Sequence, residues 1–401
     1  MSGVDRVDVI TELERLIAAA GGAQMAQVVG FVADQEAAQR VAGVPRSEVG
    51  RGVAEQVALA RRCSPWQARV FIGHTRALDR DLPGVRELLA DGAIDEATAC
   101  SVVVETSHLS AADRREVDAR IAPRLAGLGH HRSRMLARHA AIEADPAAAV
   151  ARASQARSAR HVSLSPAPDT MTRLTALLPV EQGVAAYASL LQAATAAAAG
   201  RDERGKGQVM ADTLVERLTG ANTDTPIPVE IGLVMADQTL LDGADTPAQI
   251  PGYGPIPARI ARDLVDLGVS GRDLRTTKIW LRRLFTDPVS GVLTDLDHRR
   301  RRFTGVLAAF VRYRDQTCRD AYCDAPIAHL DYITPYRLRQ HTSARFGQGL
   351  CQSGNLAKEA PGWSTPGTAD RRVTVTPTGH RYLSRPPPVM PLPIRRLPLR
   401  R

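Results

Sequence analysis

The chain reads as an α+β protein, with a mainly α-helical N-terminal region containing a few strands and a small C-terminal module rich in chemically active side chains. Three observations predict this. Apolar residues recur at helical spacing between capping signals over residues 1–150. Short β-prone runs bounded by turn residues begin near Arg160. Cys318, Cys323 and Cys351 then gather with His329, Asp331, Asn355 and Lys358 in one short stretch.

Ile10, Leu13, Leu16 and Ile17 fall on one face at helical spacing. Ser64-Pro65-Trp66-Gln67 supplies the N-cap, first-turn proline and third-position glutamine of a capping box, opening a helix through Leu78. Pro83-Gly84 breaks the chain before a helix over Val85–Ala90, and Gly92 separates that from Ile94–Val104. Ser110 caps the charged helix Ala111–Ile121, which Pro123 should end. Nothing in residues 1–159 gathers polar groups at a spacing that chemistry requires.

Residues 160–297 read as an α+β part. Val162–Leu164 and Leu174–Leu178 are short strands, an Ala-rich helix starts at Val180, and Val229–Met235 is a third strand. Gly252–Pro257 turns the chain into a helix over Ala258–Leu267. Ile279–Phe285 and Val292–Leu296 flank the turn residues Asp287–Gly291, the pattern of a hairpin. The nearest approach to a membrane span is Val184–Ala199. It is short, mostly Ala and flanked by Glu181 and Arg201, so a buried helix is expected and no membrane partner. Residues 298–376 form the last module, opening on His298-Arg299-Arg300-Arg301-Arg302 and an amphipathic helix with Val306, Leu307, Phe310 and Val311. Residues 377–401 are Pro- and Arg-rich with little apolar periodicity, which predicts an extended or disordered tail.

Charge is unevenly placed. The net charge is +9, yet residues 298–401 hold 19 Lys+Arg against 6 Asp+Glu, leaving 33 against 37 for residues 1–297. A basic block of that size suits DNA or another polyanion, with Arg299, Arg300, Arg301, Arg302 and Lys358 as candidate phosphate contacts. A merely solvated segment has the same composition. Five cysteines in 401 residues make no disulfide framework, which fits a reducing, cytoplasmic setting. The N-terminus MSGVDRVDVITELERL has early acidic residues and no uninterrupted apolar run, unlike a signal peptide.

The segments RDQTC, DAPI after Cys323, GQGLC, AKEAPGW and TVTPTGHRY carry a specific resemblance. Over Arg314–Tyr382 the chain resembles the actinobacterial 13E12-repeat family, whose members join a domain of unknown function to a C-terminal HNH endonuclease module. The resemblance implies a ββα-metal fold, a hairpin and a helix around one catalytic ion, in a repetitive, mobile-element-like family acting on DNA.

It also implies a site. In HNH nucleases a His in the first strand, after an acidic residue, is the general base that takes a proton from the attacking water. The acidic residue and a ligand on the following helix hold Mg²⁺ or Mn²⁺. Aligned on Asp331 and Cys351, the base position is Tyr332 and the middle position, which braces the loop, is Phe346. The last position is Asn355, a replacement many relatives carry, and the loop's paired glycines are Arg339 and Gln340. A phenol ordinarily titrates near ~10 and is a poor acceptor at neutral pH. Loss of a general base costs roughly 10²–10⁴-fold in rate. Asp331, His329 and Asn355 remain as residual catalytic candidates, or as inherited groups that are hydrogen-bonded and idle.

The same comparison bears on structural zinc. Cys318, Cys323 and Cys351 are candidate ligands of Zn²⁺, but the position three residues after Cys351, where family members place another ligand, is Gly354. A closed zinc site takes four ligands, so the fourth must come from elsewhere, with Asp324, His329 and His341 as conceivable donors, from water, or not at all. The chain is therefore expected to be an HNH-family protein that binds nucleic acid and has lost cutting. An active endonuclease with a rearranged site, and a helical interaction protein with a relic module, are the competing readings.

Overall fold

The structure is a computed structural model that describes residues 2–200, 202–220, 233–250, 253–270, 303, 305–334 and 342–388. Its first half is a run of capped helices. α1 (Gly3–Val41) opens on a reciprocal cap between Ser2 and Asp5. α2 (Val53–Arg61) begins after Gly52, whose φ of 81° lies in the left-handed region. α3 (Pro65–Asp81) starts on the Ser64–Gln67 capping box. α4 (Pro83–Ala90), α5 (Glu96–Thr106), α6 (Ala111–Leu125), α7 (His130–Ala144) and α8 (Pro146–Ala156) follow. Leu78, Leu82, Leu89, Ile121 and Leu125 are fully buried between them.

Two local expectations change here. α6 runs through Pro123 to Leu125. A proline this close to a helix end removes one backbone bond, and the burial of Ile121 and Leu125 holds the turn. Ile10, Leu13, Leu16 and Ile17 do lie in a helix, but all four are exposed. The buried residues of α1 are Ala18, Met25, Val28 and Val32, further along it. By length and composition alone, α1 is long and apolar enough to cross a membrane.

One compact unit consists of residues 1–155, 297–311 and 317–385; the other consists of residues 156–296, 312–316 and 386–401. In the second unit, β1 (His161–Ala167) and β2 (Met171–Leu177) pair antiparallel, from His161 opposite Leu177 to Ala167 opposite Met171. Pro168, Asp169 and Thr170 make the connecting turn, Asp169 and Thr170 both at φ 60°. α9 (Val180–Ala199) and α10 (Lys206–Thr219) come next. α9 is expected to be buried, yet Ala194 is its one buried residue; Ser189, Ala193 and Ala197 are partly covered and most of the other small residues are exposed.

α11 (Asp237–Leu241) precedes β3 (Ala248–Ile250), β4 (Gly254–Ile256) and α12 (Ala258–Ser270). Residues expected to turn into α12 instead pair, Ile250 opposite Gly254 and Ala248 opposite Ile256. Val234 bridges Gln249, while residues 229–232 of the expected third strand lie outside the described residues. The hairpin expected at Ile279–Phe285 and Val292–Leu296 lies outside them as well, as do Arg299, Arg300, Arg301 and Arg302.

α13 (Gly305–Asp315) buries Leu307, Phe310 and Val311 as its periodicity predicts. The first unit then closes on a strand, strand, helix sequence: β5 (His329–Tyr332), β6 (Gly347–Leu350) and α14 (Gln352–Ala357). β5 and β6 pair antiparallel, from His329 opposite Leu350 to Tyr332 opposite Gly347. β6 has no room for side chains at its glycines, since a Cβ on Gly349 would stand 2.5 Å from Ile327 Cδ1. β7 (Arg372–Val375) and β8 (Arg381–Ser384) form a further hairpin. The tail expected from residue 377 thus begins as ordered structure. Residues 389–401 lie outside the described residues.

Within the first unit, α2 and α3 grip the C-terminal helix. Arg51 Nη2 donates to the Leu356 carbonyl at 3.0 Å and Arg69 Nη1 to Ser353 Oγ at 2.9 Å. Trp363 packs on Gly52, where a Cβ would stand 2.6 Å from the indole nitrogen. Trp363 thus packs against the turn that leads into α2.

Candidate metal centre

Two backbone features bring three sulfurs together. Between α13 and β5 the chain forms a tight knuckle, with Gln316 and Tyr322 in the left-handed region at φ 59° and 62°. Cys323 N donates to the Asp320 carbonyl at 3.1 Å, and Cys318 N donates to the Ala325 carbonyl at 2.9 Å. Both cysteines of the C-x4-C spacing therefore face inward. The third, Cys351, ends β6 and caps α14, its Sγ accepting from Gly354 N at 3.3 Å.

The three Sγ atoms all lie within 4.8 Å of one another, and all three residues are buried. Cys323 Sγ and Cys351 Sγ are 3.8 Å apart. A tetrahedral ion with metal–sulfur bonds of ~2.3 Å has sulfur–sulfur edges of about 3.8 Å. The cluster has the spacing of a thiolate metal site, and three close buried cysteines can hold an ion such as zinc.

Protons are shared unevenly in this trio. Hydrogen bonds from Cys318 and Cys323 pull the Cys351 thiol far below the usual cysteine range. Bonds to Cys323 and Cys351, together with burial, push Cys318 far above it. For Cys323 the bond with Cys318 lowers the pKa, but the bond with Cys351 and burial outweigh it and lift the thiol to about 12. The remaining cysteines have no such grouping. Burial raises the pKa of both, Cys100 to about 11, which disfavours the thiolate form.

The suggested fourth donors stand elsewhere. Asp324 and His329 are exposed and neither belongs to the cluster. His341 lies outside the described residues. Reading the sequence missed Asp320, whose Oδ2 is 3.9 Å from Cys318 Sγ. It sits inside the C-x4-C loop, and its only signal was that position.

The residual catalytic candidates do not form one cluster: His329 is exposed, Asp331 is paired with a lysine and Asn355 lies in α14. Asp331 is ion-paired through Oδ2 with Lys358 Nζ, and Lys358 also donates to the Tyr332 carbonyl at 2.8 Å and pairs with Glu359 at 3.2 Å. The Lys358 side chain is only 4% exposed, so its ammonium is spent inside the module. The Tyr332 hydroxyl bonds with Thr342 Oγ1 at 2.7 Å, and its ring packs 5.0 Å from that of Phe303. Phe346 lies in the turn before β6, its carbonyl accepting from Ile333 N at 2.9 Å. Asn355 N donates to the Cys351 carbonyl at 3.0 Å, while its buried Oδ1 has no partner among the described residues.

A family profile described as "Domain of unknown function (DUF222)" matches residues 12–315, three quarters of the chain, and stops just before Cys318. No curated protein and no solved structure matches the chain.

Proposed function

We propose that this chain, which belongs to the DUF222 family, ends in an HNH-type module of the 13E12-repeat kind that keeps a structural zinc and its hold on nucleic acid but no longer cuts. The observation that carries the loss of cutting is the Lys358 ammonium bonded to Asp331. Asp331 is the carboxylate the resemblance assigns to the catalytic ion. A buried ammonium and a divalent cation compete for the same oxygens, and the ammonium is tethered there. Tyr332 supports the same reading, since its hydroxyl is engaged with Thr342 and the position offers no imidazole.

The cysteines fit a zinc role on donor chemistry: three buried thiol groups at tetrahedral spacing, backed by backbone amides. Bound there, zinc would tie the knuckle at Cys318 and Cys323 to the start of α14 at Cys351. The basic run Arg299–Arg302 and the surplus of Arg after residue 298 supply the phosphate-binding part of the proposal.

Plasmid nicking by the full chain in Mg²⁺ or Mn²⁺ tests the loss of cutting. No cleavage is expected, and cleavage that Asp331→Ala abolishes would reject it. Retention on DNA should fall steeply as salt rises and weaken in a variant with Arg299–Arg302 replaced by Ala. A second reading, a helical interaction protein, draws on the exposed Ile10, Leu13, Leu16 and Ile17. Salt-independent failure to bind any nucleic acid would favour it.

A further inference from the structure

Three sulfurs leave a closed tetrahedral site one donor short. The space beside Gly354 is not vacant. A Cβ built on Gly354 would overlap Asp320 Oδ2 and stand 3.5 Å from Cys318 Sγ. The Asp320 carboxylate therefore lies within the volume that a ligand side chain on residue 354 would fill. Its Oδ2 is 3.9 Å from Cys318 Sγ; the carboxylate stands outside the set of atoms that all lie within 4.8 Å of one another, so ligation needs it to turn toward Cys323 and Cys351. A tetrahedron with sulfur at ~2.3 Å and oxygen at ~2.1 Å has a sulfur–oxygen edge of about 3.6 Å, so the approach to Cys318 is within a few tenths of an ångström of a ligand edge.

The other carboxylate oxygen is already held. Arg372 Nη1 donates to Asp320 Oδ1 at 2.7 Å and to the Arg319 carbonyl at 2.8 Å. The Arg372 side chain is 1% exposed, and its Nε and Nη2 have no partner among the described residues. Burying a guanidinium costs desolvation, which pairing with a well-placed carboxylate offsets, so the pair fixes the Asp320 carboxylate in place.

We propose that Asp320 is the fourth ligand of the metal centre, standing in for the side chain missing at Gly354, and that Arg372 is the residue that positions its carboxylate. The inference rests on the zinc reading above and adds the donor set, three thiolates and one carboxylate. Those ligands carry four negative charges against a divalent ion's two positive ones, and the Arg372 cation brings the net to −1. An outer partner that hydrogen-bonds a ligating carboxylate fixes its orientation. The pair also accounts for an acidic side chain within a knuckle that otherwise buries thiols.

Zinc content of the purified full chain, competition against a chromophoric chelator, and the absorption spectrum after Co²⁺ replacement provide the test. The wild-type chain should hold one Zn²⁺. Asp320→Asn, nearly isosteric, should weaken Zn²⁺ by at least ~100-fold and shift the Co²⁺ ligand-field bands while the thiolate charge-transfer band persists. Arg372→Gln should weaken Zn²⁺ about 10- to 100-fold. Gly354→Cys added to Asp320→Ala should restore tight binding, because the vacated carboxylate volume then admits a thiol. Equal affinity for wild type and Asp320→Asn, with binding lost in Cys318→Ser, would overturn the assignment of Asp320 and leave a three-cysteine centre. No Zn²⁺ in any form would overturn the zinc reading itself, and the assignment with it.

Discussion

The helices over residues 3–155 and the module over residues 318–384 belong to one compact unit, yet their cores differ in kind. The helices share a large apolar core in which Leu78, Leu82, Leu89, Ile121 and Leu125 are fully buried. The module's cluster is Cys318, Cys323, Leu350 and Cys351, and its fully buried side chains include Arg372 and Gln348. Apolar burial stabilises by roughly 25 cal/mol per Å²; the module buries Ile333 and Leu350 fully but sets thiols, an amide and a guanidinium beside them. The helical region folds through the hydrophobic effect, whereas under the zinc proposal the module depends on its ligands as well.

The largest effect that would break this comparison is metal removal. Apparent zinc binding contributes on the order of 10 kcal/mol to small zinc-dependent folds. Chelation should therefore abolish hydrogen-exchange protection at Cys318 N, Arg319 N and Cys323 N, whose amides hold the knuckle. Protection across α4 and α6 should stay. Equal loss in both regions would mean that the helices lean on the module more than their core implies.

A truncation in the helical core has the converse signature. Leu89→Ala should cost about 2–5 kcal/mol in global unfolding while leaving metal content unchanged, since Leu89 is fully buried in the helical core. Asp118→Ala ranks next. Its buried carboxylate accepts from Gly84 N at 2.7 Å and Val85 N at 3.0 Å, capping α4 from α6. Removing it leaves two amide donors unpaired, at about 1–3 kcal/mol for each buried group. Desolvation by burial raises the Asp118 pKa despite those two bonds. Asp118→Asn keeps an acceptor and should recover part of the loss in a urea titration.

These two regions were also unequally legible in the sequence. Capping chemistry is local, so Ser64–Gln67 and Ser110 marked helix starts that the structure keeps. Cysteine spacing is nearly as local, and it identified the three residues that converge. Asp320 was invisible because the role proposed for it depends on what is missing at Gly354, more than thirty residues away, and on a guanidinium from β7. The Lys358–Asp331 pair was hidden for the same reason. A lysine after a helix reads as solvated, and only the register of β5 against α14 brings a carboxylate under it. Periodicity failed differently: it placed α1 and α9 as helices, but α9 lacks the burial expected of it and the Ile10, Leu13, Leu16, Ile17 stripe of α1 is exposed.

The exposed face of α1 turns that last point into the smallest predicted effect. Ile10 and Leu13 are 63% and 52% exposed, although their spacing is that of a core-facing stripe. In an isolated chain Ala at both positions removes almost no buried area and adds helix propensity. Surface changes of this kind usually stay within about 0.5 kcal/mol, so Ile10→Ala with Leu13→Ala should leave the midpoint of unfolding nearly unmoved. The same apolar chemistry at Leu89 would cost several times more. A loss of 2 kcal/mol or more from the α1 pair, growing with protein concentration, would instead show that a second copy of the chain covers the stripe. The sharp division between an apolar helical core and a module proposed to be ligand-held would then need a third term, burial supplied by association.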